Sequence, residues 1–290
     1  MNVVVCVKEV PDINLPLAID FDRGSVNAED TIPIVNPCDR SAVEEAIRIR
    51  ERKGKGKVTL LSLGPTRAVR SLRKCLAMGA DEAVLIDQGS MSDLDSHGIS
   101  KVIASALRTL KYDLLLCGEK ARDMQLGGGQ SGPRLATLLG LPFVSDVDLI
   151  EISDDDRKSK VRQRLEKGNK NIIECPLPAL FTISENANQP RYPTFSSSLH
   201  AIKCKVDIVT IESLGLSYSD LRPFTKVRQL IRPKPRQKKI FTPDVKLSAE
   251  DRMKAMLAGG AKEKKSEFLE GNPDWLAENI VKFLNSMRHE

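Results

Sequence analysis

Four glycines fall within six residues at Gly127, Gly128, Gly129 and Gly132, with Gln130 and Ser131 between them. A buried strand ends just upstream at Cys117-Gly118, and Leu135, Leu138 and Leu139 begin a helix just downstream. Glycine lets backbone come close to a ligand and permits positive φ. Bare N–H groups at a helix start, aided by its dipole, hold phosphate. No Gly-Lys-Ser/Thr follows, so this is not a P-loop. The spacing and chain position do not fit the dinucleotide fingerprint either. Two more loops reach the same sheet edge, Lys8-Glu9-Val10-Pro11-Asp12 and Leu63-Gly64-Pro65. Asn36-Pro37-Cys38-Asp39 forms a further turn before a helix. Turns of this kind around one crevice suit an adenine nucleotide, with main-chain groups for the base and amides for the phosphate. Ser131 has no histidine nearby in sequence, so no nucleophile and base pair up locally. Asp154, Asp155 and Asp156 read as a solvated hairpin tip, not an ion site.

Composition narrows the chemistry further. The 290 residues carry 45 Lys+Arg against 39 Asp+Glu, a net charge of +6. That excess is uneven: from Arg191 onward there are 19 basic and 12 acidic residues, so the body before it is close to neutral. The length suggests one large domain or two modest ones. No apolar run is long enough to span a membrane, and the start lacks the charged region and cleavage site of a signal peptide. The cysteines at 6, 38, 75, 117, 175 and 204 contain no Cys-x-x-Cys pair, which argues against zinc, iron–sulfur and disulfide frameworks. A reducing cytoplasm fits. Histidines stand only at 97, 200 and 289, which disfavours hydrolysis built on a histidine base.

The elements that must position these loops follow from periodicity. Residues 3–7, 58–63, 83–86 and 114–117 are short apolar runs that read as buried strands. Between them, Ser41-Ala-Val-Glu44 reads as a capping box opening a helix. Ile99, Val102, Ile103, Ala106, Leu107 and Leu110 form one helical face that Asp95 or Ser96 could cap. This alternation predicts an α/β fold with a mostly parallel sheet covered by helices. Residues 143–152, 161–165, 171–175 and 179–183 read as an antiparallel extension of that sheet. Residues 222–239 hold eight basic residues, no acids and three prolines, which reads as an extended arm. Residues 253–257 are a short helix candidate. Asn272-Pro273 opens a final helix. The expected division is a nucleotide-binding domain over 1–190, a recognition segment over 191–221, and over 222–290 the arm with its helix, which has little core of its own and would wrap a partner subunit.

Several segments resemble one family in order along the chain. Cys6-Val7-Lys8-Glu9-Val10-Pro11-Asp12 is similar to the "VKxVPD" opening of electron transfer flavoprotein β subunits. Asn36-Pro37-Cys38-Asp39 with Ala42, Glu44, Glu45 and Ala46 resembles "NPxDxxAxEEA". Leu76-Ala77-Met78-Gly79-Ala80-Asp81 matches "LAMGAD". Gln130-Ser131-Gly132-Pro133, continuing to Pro142, resembles "QxGPxLAxLLGLP". Leu177-Pro178-Ala179 and Asn188-Gln189-Pro190-Arg191-Tyr192-Pro193 match "LPAxxTxxxxxNxPRYP".

The resemblance implies an adenine-nucleotide-binding α/β subunit that pairs with a larger electron transfer flavoprotein α subunit. FAD would be held chiefly by the α subunit. The β crevice would hold AMP in simple members, or a second FAD reduced by NADH in electron-bifurcating ones. Electrons would come from an acyl-CoA dehydrogenase-type flavoenzyme and pass to a membrane-linked or soluble acceptor. Carried over by motif, the nucleotide contacts are Val7, Lys8, Asn36, Asp39, Leu63, Gly64, Asp123, Gly128, Gly129, Gln130, Ser131 and Gly132. Their roles are binding, with no catalytic residue and no metal. The resemblance also implies a recognition loop over 191–205, with Phe195 where relatives place an anchoring leucine and Arg191, Tyr192 and Leu199 beside it. An exposed aromatic suits such an anchor. The loop over 123–132 is longer than the family pattern, with Met-Gln-Leu in place of a small acidic stretch. Two other functions compete. A nucleotide-binding sensor or ligase-like enzyme would need an ATP phosphate grip. Nucleic-acid binding by the basic arm would need more stacking than Phe224 offers.

Overall fold

Residues 3–6 are Val-Val-Val-Cys, and the first three are buried on both faces of the chain. A strand with no polar side must lie inside a sheet covered from above and below. The computed structural model, which describes residues 1–15, 19–20, 25–26, 31–89, 94–121, 131–225, 247–257 and 270–287, places it there. The chain divides into two compact units, Met1–Ile231 and Arg232–Glu290.

The first unit runs β1 (Val3–Cys6), β2 (Glu9–Pro11), the two-residue β3 (Ile19–Asp20) and β4 (Ser25–Val26), β5 (Pro33–Val35) and α1 (Pro37–Lys53). Next come β6 (Val58–Gly64), α2 (Val69–Met78), β7 (Glu82–Asp87), α3 (Ser96–Leu107), β8 (Leu114–Gly118) and α4 (Ser131–Leu139). β9 (Phe143–Ile152), β10 (Lys158–Arg164), β11 (Lys170–Pro176), β12 (Ala179–Ile183), α5 (Phe195–Lys203) and β13 (Val206–Thr210) complete it. The second unit contains α6 (Ala249–Leu257) and α7 (Pro273–Met287). Asn272 caps α7 by accepting from the Asp274 N–H at 3.1 Å, as the Asn-Pro pair predicts. Among the described residues no helix is long and apolar enough to cross a membrane.

One sheet carries the fold, in the order β11-β10-β9-β12-β8-β1-β6-β7-β13. Every pairing from β9 through β13 is parallel, and β10 runs antiparallel to both its neighbours. Side chains alternate across the strands. Val3, Val5, Leu60, Leu85, Leu116 and Phe181 face α1 and α2, while Val4, Leu61, Ile86, Leu115 and Leu180 face α3 and α4. Phe181 is fully buried, and such a ring contributes about 2–3 kcal/mol by leaving water. The parallel α/β layering expected from the sequence is therefore present.

Three local expectations change. Ala179–Ile183 is not part of the antiparallel extension. It inserts parallel between β8 and β9, pairing Ala179 with Leu114 and Leu180 with Phe143. An apolar run does not encode its direction, which nonlocal pairing decides. The helix expected to open at Ser41 begins at Pro37, since the Arg40 N–H already bonds the Asn36 carbonyl at 3.0 Å. Ser41 is then inside α1 and donates to the Glu185 carbonyl at 3.0 Å, while Glu44 pairs with arginines. Finally, residues 195–203 form a helix where the resemblance implied a loop over 191–205, and 206–210 add an edge strand on β7 that was not expected.

Candidate functional site

Because β1, β6, β7, β8 and β12 are all parallel, their C-terminal ends share one edge. Open α/β sheets bind ligands at that edge. Val7 and Lys8 follow β1, Leu63 and Gly64 end β6, and Gly118 ends β8. Ser131 and Gly132 open α4, whose free N–H groups belong to its first turn. Asp123, Gly128, Gly129 and Gln130 lie outside the described residues.

The loops are joined by one carboxylate. Asp39, buried in the first turn of α1, accepts from the Lys8 N–H at 2.7 Å through Oδ2. Its Oδ1 accepts from the Gly118 N–H at 3.1 Å and from Asn36 Nδ2 at 2.9 Å. Asn36, equally buried, also donates to the Lys120 carbonyl at 2.8 Å, and its own N–H bonds the Lys8 carbonyl at 3.0 Å. The loop after β1, the start of α1 and the loop after β8 are thus tied at one point. Burial pushes the Asp39 carboxyl up to about 7, against the pull of the N–H donors around it. Both of its oxygens are engaged within the chain, so what Asp39 does for this edge is to hold backbone in place.

Two glycines permit the close approach. A Cβ on Gly118 would stand 2.1 Å from Asp39 Oδ1 and 2.7 Å from the Cys38 Cβ. A Cβ on Gly132 would stand 2.6 Å from the Thr182 methyl, so α4 can start against β12 only with glycine there. Gly118 escapes a motif-based reading, because the partner that excludes its side chain is far away in sequence.

Further residues brace the edge. Glu119 accepts from the Thr182 hydroxyl and, at 2.9 Å, from the Asp146 N–H, fixing β8 to β12 and to the bulge in β9. Glu9 accepts from Arg67 at 3.1 Å and from Ser71 at 2.7 Å, holding the loop after β1 to the start of α2. The nearby thiols are not activated. The neighbouring Cys6 thiol and burial push Cys117 up, and burial pushes Cys75 up to about 12.

The second group of sequence-predicted residues lies elsewhere, around α5. Arg191 faces inward. Its Nε donates to Glu44 at 2.9 Å and its Nη1 to Glu51 at 2.6 Å, while its backbone N–H also reaches Glu44. These pairs and Arg48 hold the Glu44 carboxyl below its usual range even though burial opposes them. Tyr192 is exposed beneath the Arg40 guanidinium, 5.9 Å from its ring centre. Phe195, Leu199 and Ile202 are 81%, 45% and 62% exposed and, at i, i+4 and i+7, share one face of α5. Ile202 was not among the residues expected there. Only the helical register, with i+7 following i and i+4, points to it.

Comparison with known proteins identifies the family. The family described as "Electron transfer flavoprotein domain" matches residues 25–212. The chain is 40% identical to the electron transfer flavoprotein subunit beta of Thermoanaerobacterium thermosaccharolyticum, over 76% of this chain and 83% of that one. It is 35% identical to the Clostridium acetobutylicum protein of the same name, over 76% and 83%. It is also 35% identical to the caffeyl-CoA reductase-Etf complex subunit CarD of Acetobacterium woodii, over 75% and 81%.

Proposed function

The chain belongs to the electron transfer flavoprotein family, and from that premise we propose that it is the β subunit of a heterodimeric electron carrier. In this reading a larger α subunit holds most of the FAD contacts. The crevice at the strand ends binds AMP, and α5 meets the flavoenzyme that delivers electrons. The complex accepts from an acyl-CoA dehydrogenase-type flavoenzyme and passes electrons to a further acceptor. A relative named as a subunit of a caffeyl-CoA reductase complex supports that partner class.

The tying of three strand-end loops by Asp39 is the observation that carries the reading. The crevice residues fit an adenine nucleotide. Main-chain groups at Val7–Lys8 and Leu63–Gly64 would face the base and ribose. The α4 start at Ser131–Gly132 would supply N–H groups to phosphate, and by the motif carry-over Asp123, Gly128, Gly129 and Gln130 belong to the same nucleotide contacts. Flavin, when bound, supplies the redox chemistry of the complex. This chain's part is to bind, orient and shield. Lys8, Asn36 and Asp39 keep three loops in register so that the nucleotide meets a preformed surface.

The test is to co-express the chain with its α subunit, extract the nucleotides and count flavins per heterodimer. One flavin with one AMP is the expected result. Two flavins would put a second FAD in the crevice and make the complex an NADH-oxidising, electron-bifurcating one. A colourless monomer that takes no α subunit would overturn the reading.

A further inference from the structure

Asp95 does more than a helix cap requires. Its Oδ1 accepts from the backbone N–H groups of His97 at 3.1 Å and Gly98 at 2.9 Å, which closes the start of α3. Its Oδ2 serves a different part of the chain. It accepts from the Phe224 N–H at 2.8 Å, the Thr225 N–H at 3.2 Å and the Thr225 hydroxyl at 3.3 Å. Asp95 is buried, and although burial opposes it, these donors hold the carboxyl below its usual range, so both oxygens stay acceptors.

The chain leading to that point is fastened to α3 along its length. Ser105 donates to the Leu214 carbonyl and Lys101 to the Asp220 carbonyl, each at 3.1 Å. Leu221 is fully buried in the core cluster that includes Val102 and Leu107. The rings of His97 and Phe224 meet edge to face with centres 4.8 Å apart. Gly98 leaves the room needed, since a Cβ there would stand 3.3 Å from the Leu221 carbonyl. These fastenings run up to and into the start of the basic stretch over 222–239.

We propose that Asp95 is a positioning residue for subunit assembly, because it pins residues 224 and 225 to α3 and so fixes the root of the C-terminal segment before the partner arrives. The inference rests on the heterodimer reading above. Ordering a segment on binding opposes association, and a root ordered in advance removes part of that cost. If Asp95 were only a cap, its Oδ2 bonds would have no bearing on the partner.

Two variants separate these roles. In Asp95→Asn the shape and the cap are kept, but one acceptor becomes an NH2 facing two N–H donors. In Asp95→Ser the cap is kept and the reach to Phe224 is lost. Amide hydrogen exchange on the full chain should show Phe224 and Thr225 exchanging roughly tenfold faster or more, with His97 and Gly98 as protected as in the parent. The dissociation constant of the heterodimer should rise about tenfold while the thermal midpoint stays close to the parent's. Unchanged exchange at 224 and 225 would overturn the inference, as would fast exchange there with an unchanged dissociation constant. A parent chain that forms no heterodimer would overturn the partner reading itself, and this inference with it.

Discussion

Around Asp39 the polar groups that burial strips of water are matched inside the chain: Lys8, Gly118 and Asn36 donate, and the carboxylate accepts. Along α5 it is apolar surface that goes unmatched, since Phe195, Leu199 and Ile202 face solvent. Unmatched polar atoms cost stability wherever they are buried, whereas a contiguous exposed apolar face marks a surface that another molecule covers. The region around Asp39 is therefore complete within the chain. The apolar face of α5, under the function proposed above, is where a second protein would be met. Changes in the first region should damage folding, and changes in the second should damage association while leaving folding alone.

The strongest way to break that contrast is Gly118→Ala. The added Cβ meets Asp39 Oδ1 and Cys38, neither of which can withdraw without opening the loops. A loss of about 3 kcal/mol in denaturant unfolding is expected, together with loss of bound nucleotide. Wild-type stability in that variant would show that the Asp39 tie contributes little. Next in size is Arg191→Ala, which belongs to the folding side of the contrast despite its place beside α5. It leaves the buried Glu44 with Arg48 alone, at a cost of about 2 kcal/mol at neutral pH. That is below the ~3–5 kcal/mol of a fully buried pair, because Arg191 is itself a third exposed. The sign with pH follows from Glu44, whose folded value lies below its ordinary 4.5. Its contribution is whole above that value and fades as pH falls through the folded one. Urea unfolding curves of parent and variant should therefore converge in acid, and a constant gap would exclude Glu44 as the cause. The smallest effect on folding is expected for Phe195→Ala. Stability should change by no more than about 0.5 kcal/mol, while electron transfer from the partner flavoenzyme should fall tenfold or more, as for an anchor residue. Equal losses in both would dissolve the distinction between the two regions.

How much of this could be read in the sequence depended on how local each cause is. The parallel strands were legible because Val3, Val4 and Val5 leave no polar side. Asp95 was legible as a cap from its place before an amphipathic run. Its second oxygen was not, since Phe224 and Thr225 lie far along the chain. Asn36 and Asp39 were recognisable as turn residues and by motif, but the donor that Gly118 supplies to Asp39 could come only from the folded sheet. The helix at 195–203 went unread because its buried contact is small: Ala201 is its one buried residue, so the face that normally reveals a helix points outward. For β13 the reason is similar: it is an edge strand with no buried residue, and Asp207 interrupts its apolar run.

The pinning of α5 at both ends has one more consequence. Arg191 fastens the chain just before it to α1, β13 locks the chain just after it into the sheet, and Ala201 seats its underside in the core that α2 also lines. The outward residues take no share in those fastenings. They can be rewritten by mutation without renegotiating the fold, as a key's teeth can be recut without changing its shank. Under the function proposed above, descendants of one scaffold would change electron donor by altering a single exposed helical face.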